Sequence, residues 1–173
     1  PGTFDHALLR RYVGPEVVQF DTYSLVNLAE RAGHTEVLTV ADDLRAKARV
    51  EVTDDRLLKA ARLLVGLREL VDNHRLGAIN VKCQYELSQE WGMTPCVALS
   101  WLADNGVIAG CEGDVMTTVT QCLLAYLSES AVAYGDILDL QGDQMLLSSC
   151  GFAPASMAHE GDEVIICELG HPG

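Results

Sequence analysis

The chain has 173 residues, 49% hydrophobic and 21% charged, enough for one well-buried domain. Lys and Arg number 12 against 25 Asp and Glu, a formal charge of −13, which argues against nucleic acid and anionic membrane surfaces as partners, since both are held by clustered cations. No apolar run approaches the roughly 20 residues that span a bilayer. The six cysteines stand singly without a CxxC pair, so reduced, mostly buried thiols in a cytoplasmic protein are expected.

Taken in order, Asp5 caps a first helix to about Tyr12, which Gly14-Pro15 stops. Val17–Phe20 reads as a short strand, and Asp21 caps a helix through Glu30 with Gly33 as its C′ residue. Residues 36–52 are helical in composition with β-branched residues at both ends. Thr53 is the N-cap of the longest helix, whose first turn carries Asp54-Asp55 and whose apolar face carries Leu57, Ala60, Ala61, Leu64, Leu67, Leu70 and Val71. Ala78–Val81 is a strand ending at Lys82-Cys83-Gln84. An irregular stretch follows to Trp91, and Thr94-Pro95 opens a helix that Asp104-Asn105-Gly106 closes.

Val107–Cys111 is an apolar run of the kind a buried strand shows. Asp114 caps the helix after it, with Val115, Val119, Cys122, Leu123 and Tyr126 at helical spacing. A second run, Ala131–Tyr134, leads into Gly135-Asp136. Repeated βαβ units of this kind require a mostly parallel sheet flanked by helices. Glu112 and Asp136 are then each delivered just beyond a strand C-terminus, the edge where ligands bind in open α/β sheets. Two carboxylates there can hold a divalent metal, move protons, or do both; the plain alternative is a solvated Glu112 and a turn-forming Asp136. Lys82 shares this edge, to steady a substrate group or to make a surface ion pair. After Asp136 come only short strand candidates, Ile137–Leu140, Met145–Ser149 and Val164–Leu169, so residues 137–173 read as the start of a β-rich domain following an α/β domain over 1–136. The chain opens on Pro1-Gly2-Thr3-Phe4 without an initiator Met and closes on Gly170-His171-Pro172-Gly173. An excised piece of a longer protein is the expectation.

The ordered set Lys82-Cys83-Gln84, Gly92-Met93-Thr94-Pro95-Cys96, Cys111-Glu112-Gly113-Asp114, Gly135-Asp136 and Cys150-Gly151 resembles the L-fucose/L-arabinose isomerase superfamily, most closely its fucose-isomerase-like branch, over Lys82–Pro154. The resemblance implies a Rossmann-like middle domain and the opening of a C-terminal domain. It also implies a metal-dependent aldose–ketose isomerase working through an enediol. In that family a glutamate, an aspartate and a late histidine hold the metal. By position, Glu112 and Asp136 are the implied metal ligands and acid/base pair, with Lys82 and Gln84 lining a sugar pocket. Mn²⁺ is the implied metal, with Mg²⁺ or Co²⁺ as substitutes, and hard oxygen donors suit that choice. A small sugar is the implied substrate and a homo-oligomer the implied assembly of the full-length protein. Ser148-Ser149 stand where many relatives have a histidine before Cys-Gly, and neither His159 nor His171 lies in a matching motif. That departure supports an alternative, a non-catalytic sugar-binding or regulatory relative.

Overall fold

A computed structural model describes residues 4–133, 135–148 and 152–168. It is an α/β fold built as α1 (His6–Tyr12), α2 (Thr22–Arg31), α3 (His34–Lys47), β1 (Arg49–Val50), α4 (Asp54–His74), β2 (Ala78–Val81), α5 (Cys96–Asp104), β3 (Ile108–Cys111), α6 (Val115–Ser128), β4 (Asp136–Gln141), β5 (Gln144–Ser148) and β6 (Ile165–Ile166). Of the three strand pairs among the described residues, β1–β6 and β2–β3 are parallel and β4–β5 is an antiparallel hairpin. No helix among them is long and apolar enough to cross a membrane.

Side-chain caps set most helix starts. Asp5 accepts from the Ala7 and Leu8 amides, Asp21 from Ser24, Thr53 from Arg56 and Asp114 from Thr117. The core centres on α4, which packs against α2, α3 and α5. Leu57, Leu63, Leu64 and Leu67 of α4 are fully buried, and Val37, Leu44, Leu99 and Phe152 complete the cluster. Phe152 reaches this core from beyond the hairpin, and the 3-10 turn Ala155–Met157 is tied to the end of α5, where Asp104 accepts from the Ala155 and Ser156 amides at 2.9 and 3.1 Å.

Several local expectations are revised. Val17–Phe20 joins no ladder among the described residues, and Val18 and Phe20 stay exposed, so no sheet face rewards pairing there. Gly33 has φ −61° and is the N-cap of α3, not a left-handed C′ residue, because α2 ends through an extended Ala32. The helix expected over 36–52 starts at His34 and stops at Lys47. The β-branched Val50 instead pairs with Ile166 in β1–β6. The helix after Thr94-Pro95 has Pro95 itself at the cap position, with no side-chain cap bond. Ala131–Ala133 forms no strand, and Tyr134 lies outside the described residues. Asp136 therefore opens β4 instead of following a strand. A neighbouring acceptor on β3 is already filled, since Gln121 Nε2 donates to the Ala109 carbonyl at 3.1 Å.

Gly66 marks the closest helix contact. A Cβ there would stand 2.8 Å from the Ala29 amide nitrogen and 3.2 Å from its Cα, so α2 and α4 pack backbone to backbone. Alanine would bring about 1 kcal/mol of helix propensity, but forcing the helices apart costs about 1–3 kcal/mol. Gly66→Ala is therefore expected to lower the urea midpoint at unchanged m-value; a midpoint at or above that of the unsubstituted chain would contradict this close packing.

Candidate functional site at the β2–β3 edge

The pairing register fixes the site. Ala78 lies opposite Ile108 and Val81 opposite Cys111, so Lys82 and Glu112 leave the sheet side by side at the strands' C-terminal edge. A Cβ on Gly113 would lie 3.7 Å from Lys82 Cβ, which measures how close the two turns run. The loop after β2 is pinned beneath by fully buried Leu87 and by Trp91, whose Nε1 donates to Glu30 Oε1 at 2.7 Å while Lys59 Nζ lies 4.6 Å from its ring centroid.

Glu112 and Gly113 have φ +64° and +73°. Glycine tolerates this left-handed turn; glutamate pays about 1–3 kcal/mol and adopts it only where its surroundings impose it. Asn80 of β2 bonds to this turn from the neighbouring strand. Its Nδ2 lies 3.1 Å from the Cys111 carbonyl, 3.1 Å from the Asp114 carbonyl and 2.7 Å from Thr118 Oγ1. Thr118 in turn donates to the Asp114 carbonyl at 3.0 Å. Gly110 makes room for this network, since a Cβ there would stand 2.1 Å from Thr118 Oγ1 and 2.7 Å from Asn80 Nδ2. Asn80 Oδ1 and Gln121 Oε1 are buried and make no hydrogen bond within the described structure.

The acidic groups at this edge divide their roles. Asp114 accepts from the Thr117 amide at 3.0 Å and the Thr117 hydroxyl at 2.8 Å, bonds that hold its carboxyl below the usual range and commit it to capping. Glu86 is lowered first by its own amide and then by Lys82, whose Nζ is 3.4 Å away and 5.5 Å from the Tyr85 ring centroid. Glu112 and Gln84 are half-buried. Lys82 and Glu112 are thus brought together, Gln84 lies two residues beyond Lys82 in the loop after β2, and Asp136 is exposed at the start of β4, opposite Ser148 of β5. His159 is exposed in a turn, its Nδ1 2.9 Å from the Glu160 carbonyl. His171, Ser149 and Cys150-Gly151 lie outside the described residues. Among the described residues, no cluster of three or more His, Cys, Asp or Glu side chains is arranged to hold a metal. Glu112 and Asp136 are hard oxygen donors of the type Mn²⁺ takes.

The sequence reading missed Asn80, Gly110, Thr118 and Gln121. A signal was present, an asparagine inside the apolar run Ala78-Ile79-Asn80-Val81. The inward face of α6 also differs from expectation: Thr118 and Gln121 are buried, while Leu123 and Tyr126 are 52% and 72% exposed. The polar groups face inward because Asn80 and the Ala109 carbonyl supply them partners.

Cys83 and Cys111 face each other at the same edge. Cys83 accepts the Cys111 S–H, which outweighs its burial and the nearby Glu112 charge and lowers it to about 7; the same bond, with burial, raises Cys111. Iodoacetamide modification of Cys83, followed by peptide mapping, is expected to rise with pH through a midpoint at about 7. Cys111→Ala removes the donor that favours the thiolate and should move that midpoint upward. An unchanged midpoint would break the link between the two thiols.

The chain is 23% identical over 109 residues to the sulfoquinovose isomerases of Priestia aryabhattai and Priestia megaterium, covering 61% of this chain and 24% of each relative. It is 24% identical over 163 residues to the sulfoquinovose isomerase of Alkalicoccus urumqiensis, covering 90% of this chain and 36% of that protein. The chain thus spans about a quarter to a third of the length of these curated relatives. No family model matches it. It is a distant relative of proteins named as sugar isomerases.

Proposed function

We propose that this chain belongs to a metal-dependent aldose–ketose isomerase in which Glu112 and Asp136 are metal ligands and the acid/base pair. The observation that carries the reading is the β2–β3 register, which sets Lys82 and Glu112 together at a strand C-terminal edge. The distant likeness to sulfoquinovose isomerases supports sugar isomerisation. The divalent ion, Mn²⁺ by donor type, would polarise the sugar's carbonyl and hydroxyl oxygens and so acidify the C2–H bond.

The chain's own groups account for the proton movements. One carboxylate removes the C2 proton while the other, in its acid form, protonates O1, giving the enediol. The second group then takes the O2 proton and the first returns its proton to C1, leaving a ketose and both carboxyls as they began. The enforced turn at Glu112 keeps one carboxyl at a fixed place along this path. Lys82 and Gln84 bind sugar hydroxyls, with the Lys82–Glu86 pair limiting the freedom of the ammonium.

In the full-length protein, Glu112→Gln is expected to reduce aldose–ketose exchange by about 10²–10⁴-fold with an unchanged circular dichroism spectrum. Retained exchange would overturn the assignment. Sugar binding without metal-dependent turnover in the unsubstituted full-length protein would replace it with the non-catalytic sugar-binding reading. Mn²⁺ titration by calorimetry on the same protein is expected to show binding that Glu112→Gln/Asp136→Asn abolishes; equal binding in both would place the metal elsewhere.

A further inference from the structure

We propose that Asn80 is a positioning residue that clamps the left-handed turn presenting Glu112; its consequence for metal and turnover rests on the function proposed above. Asn80 Nδ2 has two hydrogens and three acceptors. The 2.7 Å contact takes one hydrogen to Thr118 Oγ1, and the two 3.1 Å contacts share the other between the Cys111 and Asp114 carbonyls. Those carbonyls lie immediately before and after Glu112-Gly113. One side chain on β2 therefore grips both ends of the turn on β3, and Thr118 closes the triangle by donating to the Asp114 carbonyl.

The clamp is built into three separate elements. β2 supplies the donor, β3 supplies a glycine at 110 because any Cβ would strike both Asn80 and Thr118, and α6 supplies the buried hydroxyl. Asp114 adds a fourth constraint by capping α6 one residue beyond the turn. Without the Asn80 donor, the Cys111 and Asp114 carbonyls lose their shared partner, and the left-handed Glu112 relaxes toward an ordinary turn. Glu112 would then stay in the chain but leave its place at the edge. A residue acting this way changes metal affinity and kcat through Glu112 without touching substrate, as outer partners of metal ligands do.

The test uses the full-length protein with Asn80→Leu, which keeps the side chain's bulk and removes the donor. Gly66→Ala, at the remote α2–α4 contact, serves as a stability control. Mn²⁺ affinity by calorimetry, kcat and KM for aldose–ketose exchange, and hydrogen exchange of the 112–114 amides are measured on each. Asn80→Leu is expected to weaken Mn²⁺ binding about 10–100-fold, lower kcat more than it changes KM, and speed exchange at 112–114, while Gly66→Ala alters none of these below its unfolding temperature. Mn²⁺ affinity and 112–114 exchange both within about twofold of the unsubstituted protein in Asn80→Leu would overturn the proposal. Should Asn80→Leu not fold, Thr118→Val carries the same measurements and the same criterion. Glu112→Gln separates the two levels. If it binds Mn²⁺ like the unsubstituted protein, the proposed function falls, and exchange at 112–114 alone decides the clamp, faster exchange upholding it and unchanged exchange overturning it.

Discussion

The burial of α4 is the constraint on which the rest depends. A 21-residue helix with ten buried residues has a long apolar face to cover, and α2, α3 and α5 pack against it. Gly66 sets the distance on one side, since Ala29 comes close enough to exclude even a methyl group. α5 carries the arrangement onward, packing against α4 with one face and against β3 with another. The strand that bears Glu112 is thus held indirectly by a helix that never approaches the carboxylate in sequence. Burial of each leucine along this path contributes about 1.5–3 kcal/mol, which is the stabilisation against which a strained turn at the sheet edge is set.

The parts legible in the sequence were those whose cause is local. Asp5, Asp21, Thr53 and Asp114 all cap the helices they precede, because a short polar side chain before an apolar period has one job to do there. The β2–α5–β3 unit was equally plain, and with it the neighbourhood of Lys82 and Glu112. What escaped depends on partners far along the chain. Val50 pairs with Ile166, which nothing near residue 50 announces. The Asn80 amide meets Thr118, 38 residues away, and draws a polar side chain of α6 inward. Ala131–Ala133 has the composition of a strand, yet β3 already spends an acceptor on Gln121. Apolar composition marks a segment for burial and leaves open what it pairs with.

The C-terminal edge of β2–β3 places neighbouring acidic side chains in different settings within a few residues. Asp114 is spent on the helix it begins, and Glu86 faces Lys82. Glu112 is set apart by backbone geometry, projected by a conformation that only its neighbours make tolerable. Three acidic side chains of similar intrinsic chemistry thereby acquire different duties from hydrogen bonding and φ angles alone. The exposed apolar residues of β4 and β5 form a contrasting region, where Ile137, Leu138, Leu140, Leu146 and Leu147 all remain more than half exposed around a two-residue turn. The hairpin is defined by its own ladder, and its position carries Asp136.

The β1–β6 pair bears on the order in which the chain acquires structure during synthesis. Arg49 and Glu163 meet at 2.9 Å although 114 residues separate them. At about 5–20 residues per second, translation of that interval takes on the order of ten seconds. The contacts of α2, α3 and α4 span far shorter loops, and closing them waits on no distant segment. The helical part can therefore be compact on the ribosome while β1 still offers an unpaired edge. Two residues make a poor template for a foreign strand, so the brevity of β1 protects the nascent chain while it waits for β6.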